Sequence, residues 1–144
     1  MAGFELLEHT ADVGIRARGA TLEEVFEHAT EGLAEVLGAL RPGGSPGGSG
    51  WSGEAVAVEV SAGDPGGLLV DWLNEVLWLR EVRQAVVRGV RVERVGDGVA
   101  SGEVVLAAGG PGPDGTLVKA VTYHRLRVEP DPSGGWLIEV YLDV

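Results

Sequence analysis

The hydrophobic pattern changes period several times along the chain, and each change marks an element. Val13, Ile15 and Ala17 alternate with Asp12, Gly14, Arg16 and Arg18, which predicts a half-buried strand with Asp12 on its non-core parity. A shorter apolar stretch, 4–8, predicts an opening strand before it. From Leu22 the period becomes helical: Leu22, Val25, Phe26, Ala29, Leu33, Val36, Leu37 and Leu40 form one stripe. Thr21 followed by Glu24 is a capping-box start for that helix. Glu23, Glu27, Glu31 and Glu35 fall on its outer face and read as solvated, with His28 among them. Val56, Val58 and Val60 give a strand over 54–61, and Leu69, Trp72, Leu73 and Val76 trace a second helix over 67–83. Strands follow over 86–95, 99–107, 117–129 and 136–144. The expected class is α+β, a single domain over 1–144 with about seven mostly antiparallel strands and two helices packed on one sheet face. The strands after the second helix read as a meander. Residues 41–50, rich in Gly, Pro and Ser, read as a flexible loop, and the Gly/Pro run 109–115 as a long hairpin connection.

Charge changes the list of functions. The chain carries 22 Asp and Glu against 11 Lys and Arg, a net charge of −11. Phosphate backbones and anionic membranes are bound through Lys and Arg, so direct contact with either is not expected. Cysteine is absent, which excludes disulfides, thiolate metal sites and cysteine nucleophiles. Nothing at the N-terminus has the form of a signal peptide and no apolar run reaches the ~18–20 residues of a membrane span, so a cytoplasmic protein is expected. Ten of the eleven basic residues are Arg; the lone Lys is Lys119. Arg cannot replace Lys where a compact amine is needed, which draws attention to Lys119.

Candidate chemistry lies at the strand ends. Ile138, Val140, Leu142 and Val144 share one parity of the last strand, and Glu139, Tyr141 and Asp143 the other. If this strand pairs with the second, Asp12, Asp143 and the Val144 carboxylate converge. Three anionic oxygen groups in one place call for a cation, and oxygen-only ligation suits Ca²⁺, Mg²⁺ or Mn²⁺ rather than Zn²⁺. Two surface aspartates are the plainer alternative. In Lys119-Ala-Val-Thr-Tyr-His124, regular alternation puts Lys119 and His124 on opposite faces, and only a bulge or a strand end could bring them together. A solvated edge charge and a satisfied sheet histidine are the simpler readings. Asp71 and Glu75, one helical turn apart, are either an acid–base pair or a polar helix edge. No phosphate loop, nucleophile elbow, zinc-helix motif or basic–aromatic stripe is present.

Taken together, these segments resemble the archease family. The resemblance rests on Glu8-His-Thr-Ala-Asp-Val-Gly-Ile15, on Thr21-Leu-Glu-Glu-Val-Phe26 with Gly32-Leu33, and on Leu68-Leu-Val-Asp-Trp-Leu-Asn-Glu75. Lys119-Ala-Val-Thr-Tyr-His124 and the closing Asp143-Val144 complete it, so essentially the whole chain is covered. The resemblance implies a non-catalytic protein co-factor of an RtcB-type RNA ligase in tRNA splicing and RNA repair. Such a co-factor promotes guanylylation of the ligase and multiple turnover, and broadens the nucleotide it accepts. It also implies a metal site at Asp12, Asp143 and Val144, with Ca²⁺ the expected ion and Mg²⁺ or Mn²⁺ of the same ligand chemistry. Lys119, with Asp12 and Asp143, is expected to be critical for activation. A stand-alone metal-dependent phosphohydrolase using Asp12, Asp143 and His124, and a general chaperone or adaptor with an apolar patch near Trp51 or Trp78, are the competing classes.

Overall fold

A computed structural model describes residues 3–8, 12–38, 53–108 and 117–144. The strands are β1 (Gly3–Glu8), β2 (Asp12–Gly19), β3 (Glu54–Ser61), β4 (Ala85–Gly96), β5 (Val99–Ala108), β6 (Ala120–Pro130) and β7 (Trp136–Asp143). The helices are α1 (Leu22–Val36), between β2 and β3, and α2 (Pro65–Arg83), between β3 and β4. The class is α+β, as the periodicities indicate. The seven strands form two antiparallel sheets rather than one: β1-β2-β7-β6 and β3-β5-β4. There is no four-strand meander, because β4 and β5 pair in one sheet and β6 and β7 in the other. Strand parity reports which face is apolar, not which strand lies alongside, so the division was invisible in the pattern. Each helix packs against both sheets, α1 on β2 and β4, and α2 on β6 and β3.

The core lies between these layers. Ile15, Ala17, Ile138, Val140 and Leu142 supply it from the first sheet, and Val58, Val92, Ala100 and Val104 from the second. Fully buried Trp72 of α2 donates its indole N–H to Thr30 Oγ1 at 2.9 Å. Thr30 in turn donates to the Phe26 carbonyl at 2.7 Å, so the polar atoms in this packed layer are satisfied.

Helix starts follow local chemistry. Thr21 Oγ1 accepts from the Glu24 N–H at 3.0 Å, and the Glu24 carboxylate accepts from the Ala20 N–H at 2.8 Å. At the other end α1 stops at Val36, before the stripe runs out, and the Gly38 N–H closes on the Glu35 carbonyl with φ +81° at Gly38. Leu40, the loop 41–50 and the whole 109–115 connection lie outside the described residues. α2 begins two residues earlier than its apolar stripe. Asp64 Oδ1 accepts from the Gly67 N–H at 2.6 Å and Pro65 opens the first turn, a combination the stripe alone does not reveal.

The acidic face of α1 differs from its sequence reading. Glu23 and Glu27 accept hydrogen bonds from the Val95 and Val92 N–H groups at 2.8 and 2.9 Å. They cap β4, an edge strand of the smaller sheet, whose amides would otherwise be open to pairing. His28 is also not simply solvated. Its Nδ1 lies 2.7 Å from the Arg18 carbonyl oxygen and 3.2 Å from the Gly3 backbone nitrogen, so the ring bridges β1 and β2. No helix among the described residues is long and apolar enough to cross a membrane.

Candidate functional site

β7 runs between β2 and β6, and the register stacks residues in rows across the three strands. One row is Arg16, Glu139 and Arg127. The next is Gly14, Tyr141 and Thr122, and the last is Asp12, Asp143 and Ala120. Directly opposed residues share a face in an antiparallel sheet, and each row differs in chemistry.

The first row is neutralised internally. Glu139 is buried, and its Oε2 accepts from Arg16 Nε and Nη2 at 3.1 and 3.0 Å, with Arg127 Nη1 at 3.6 Å. Its Oε1 accepts from the Tyr141 hydroxyl at 3.1 Å. The Glu139 hydrogen bond holds the Arg16 guanidinium above its ordinary pKa. A buried carboxylate with this many donors is a structural anchor rather than a reactive group.

In the second row, Tyr141 is 6% exposed and lies across Gly14. A Cβ at position 14 would stand 2.8 Å from Tyr141 Cε2 and 3.0 Å from Leu7 Cβ. Glycine there leaves the space the ring occupies.

The last row is different. Asp143 is exposed, and among the described residues no ion pair or side-chain hydrogen bond reaches it. Asp12 opposes it directly in the backbone register; of Asp12 only the backbone is described. On the other side, the Lys119 N–H donates to the Asp143 carbonyl at 2.8 Å. Lys119 is exposed and immediately precedes β6. Val144 follows Asp143. Asp12 and Asp143, from opposite ends of the sequence, therefore meet at one sheet end, with Val144 next along the chain. The described residues hold no cluster of three metal-ligating side chains. The expected ligand set includes Asp12, whose side chain lies outside the description. The donors offered at this end are hard oxygens, which fit a cation of the Ca²⁺ or Mg²⁺ type and not a soft-metal site.

The other sequence candidates separate. β6 is irregular: register is lost between Thr122, opposite Tyr141, and Arg127, opposite Glu139. Residues 123–126 thus face Val140 alone, and Arg125 takes φ +54°. The bulge sets the His124 ring edge-on to Tyr141, with centroids 6.2 Å apart. His124 therefore borders the aromatic row. Asp71 and Glu75 line a groove of ≈ 590 Å³ with Val60, Ser61, Asn74 and Trp78, apart from the Asp143 row. Glu8's side chain, His9 and Trp51 lie outside the described residues.

Asn74 is the residue that the pattern did not single out. Its Nδ2 donates to the Val121 carbonyl at 3.0 Å and its Oδ1 accepts from the Val121 N–H at 2.9 Å. The side chain thus acts as a one-residue strand partner for the outer edge of β6. It fixes the segment two residues after Lys119. The only available signal was a polar amide in a helix that is otherwise buried over most of its circumference.

These features define a small α+β protein whose central strand ends in an acidic tip, with a lysine held beside it by backbone pairing. The model of the "Archease protein family (MTH1598/TM1083)" matches residues 4–144. The chain belongs to the archease family. It is 36% identical to the protein archease of Methanosarcina mazei, over 98% of this chain and 95% of that one. It is likewise 36% identical to that of Thermococcus gammatolerans, over the full length of both. The solution structure of Methanobacterium thermoautotrophicum protein 1598 superposes with a TM-score of 0.74 at 30% identity, covering both chains completely. A Thermotoga maritima crystal structure, described as an archease and possible chaperone, shares the fold at a TM-score of 0.60 and 22% identity, over 97% of this chain and 96% of that one.

Proposed function

We propose that this protein is a non-catalytic activator of an RtcB-type RNA ligase, promoting guanylylation of the ligase and its multiple turnover. The single observation that carries the reading is the meeting of Asp12, Asp143 and Lys119 at one end of the β2-β7-β6 register, in a chain of the archease family. Asp12, Asp143 and Val144 would hold a divalent cation, Ca²⁺ in the first instance. When bound, that ion supplies positive charge at an otherwise anionic tip. The protein's own part is positional. Backbone pairing on both sides of β7 keeps Asp143 in the sheet while leaving its carboxylate exposed. The Lys119 ammonium, fixed at its backbone to the same residue, is available to a triphosphate or to an acidic group of the ligase.

The net charge of −11 supports action on RNA through a partner rather than by direct contact. A cleft that holds RNA and nucleotide is cationic, and an acidic tip complements it. The test is ligation by the purified ligase at substrate excess, with and without this protein. Stimulation that is lost in Asp12→Ala and Lys119→Ala, both still folded, supports the reading. Equal stimulation by these variants would sink the tip mechanism. Protection of unrelated clients from aggregation, without ligase stimulation, would instead favour a chaperone.

A further inference from the structure

The face of α2 turned away from the core is unusual for a helix buried on most of its sides. Asp71, Glu75, Trp78 and Val82 recur at helical spacing along it. Trp78 is 54% exposed and Val82 57%. Asp71 and Glu75 line the groove beside the indole, with Val60 and Ser61 of β3 as the opposite wall. Neither carboxylate forms an ion pair with a described residue, whereas Glu54, Asp97, Asp131 and Glu139 all do. An exposed indole bordered by two uncompensated carboxylates has the chemistry of a cation receptor: the ring offers a π face and the acids accept charge-assisted hydrogen bonds.

We infer that this groove is a second docking surface for the ligase proposed above, taking an arginine- or lysine-bearing segment of that protein. The inference rests on the ligase reading. Two arguments choose the occupant. Charge complementarity is one, since an enzyme that handles RNA carries clustered Lys and Arg and this chain carries −11. Continuity with the tip is the other. Asn74 lines the groove and holds Val121, whose neighbour Ala120 pairs with Asp143. Groove and tip are thus linked through Asn74 and the start of β6. The two surfaces divide the work: the groove sets affinity, and the tip sets the activated rate.

The experiment uses the purified full-length protein and the purified ligase. Binding is measured by titration calorimetry, and multiple-turnover ligation at limiting and saturating co-factor. The variants are Trp78→Ala, the double variant Asp71→Asn/Glu75→Gln, and Lys119→Ala, each first shown to keep the wild-type melting temperature within a few degrees. Groove variants are expected to bind about tenfold more weakly, with a shallower salt dependence for the double variant, yet to reach wild-type turnover at saturation. Lys119→Ala is expected to lose turnover even at saturating co-factor. Groove variants that bind within twofold of wild type, or that lose turnover at saturation, overturn the inference. So does a concentration-dependent dimer of this protein that Trp78→Ala abolishes, since the groove would then serve a second copy. If the wild-type protein neither binds nor stimulates the ligase, the ligase reading itself falls. If it does both while the groove variants behave like it, only the groove assignment falls.

Discussion

Replacing Asn74 with Ala tests how the tip is held. The substitution removes two hydrogen bonds, of 3.0 and 2.9 Å, and leaves both backbone groups of buried Val121 without their partner. A net contribution of ~1 kcal/mol per hydrogen bond, with part of the desolvation of the orphaned groups added, gives a loss of about 2–3 kcal/mol. Water reaching the edge of β6 keeps the value from rising further. For a chain of this length that corresponds to a fall in melting temperature of roughly 5–10 °C. The urea midpoint should fall with an unchanged slope, since the folded state stays compact. Asn74→Asp sharpens the test. It keeps an acceptor for the Val121 N–H but turns an anionic oxygen toward the Val121 carbonyl. Its folded-state pKa is therefore raised, so the stability it lacks at pH 7 returns as pH falls toward the ordinary carboxylate range. An Asn74→Ala protein within about 0.5 kcal/mol of wild type would refute the clamp.

Gly14→Ala should destabilise by about 1–3 kcal/mol, because the new methyl meets Tyr141 at 2.8 Å and Leu7 Cβ at 3.0 Å; chemical denaturation measures it. Glu27→Ala should cost about 1 kcal/mol and speed hydrogen exchange at the Val92 amide, which loses its 2.9 Å acceptor. Burial holds the Glu31 carboxyl above its ordinary pKa, with His28 opposing and Glu27 adding to the shift. Wild-type stability therefore rises as pH falls through the folded-state pKa toward the unfolded one. Glu31→Gln should melt higher than wild type at pH 7, and the difference should close near pH 4.

Much of this architecture was legible because β2 and β7 alternate cleanly. Ile15 and Ala17, and Ile138, Val140 and Leu142, fall on the buried face as their parity requires. That same alternation, once the two strands pair, puts Asp12 opposite Asp143. Pairing itself was not legible. Nothing in the apolar pattern says that β5 leaves for β3 and β4 while β6 joins β7. The bulge over 123–126 was also hidden, since the left-handed residue is Arg125 and not a glycine. Carboxylates on a helix face give no sign of whether solvent or an edge strand receives them. Glu23 and Glu27 became caps only because β4 lies beside α1. Asn74 was unreadable for a related reason: its partner is a backbone 47 residues away.

The most direct measurement is multiple-turnover ligation by an RtcB-type ligase with RNA ends in excess, comparing no addition, the wild-type chain, Asp12→Ala, Asp143→Ala and Lys119→Ala. The ligase alone is expected to stall early, the wild-type chain to sustain many turnovers, and each folded tip variant to behave like no addition. Tip variants that sustain turnover as well as the wild type would contradict the tip mechanism.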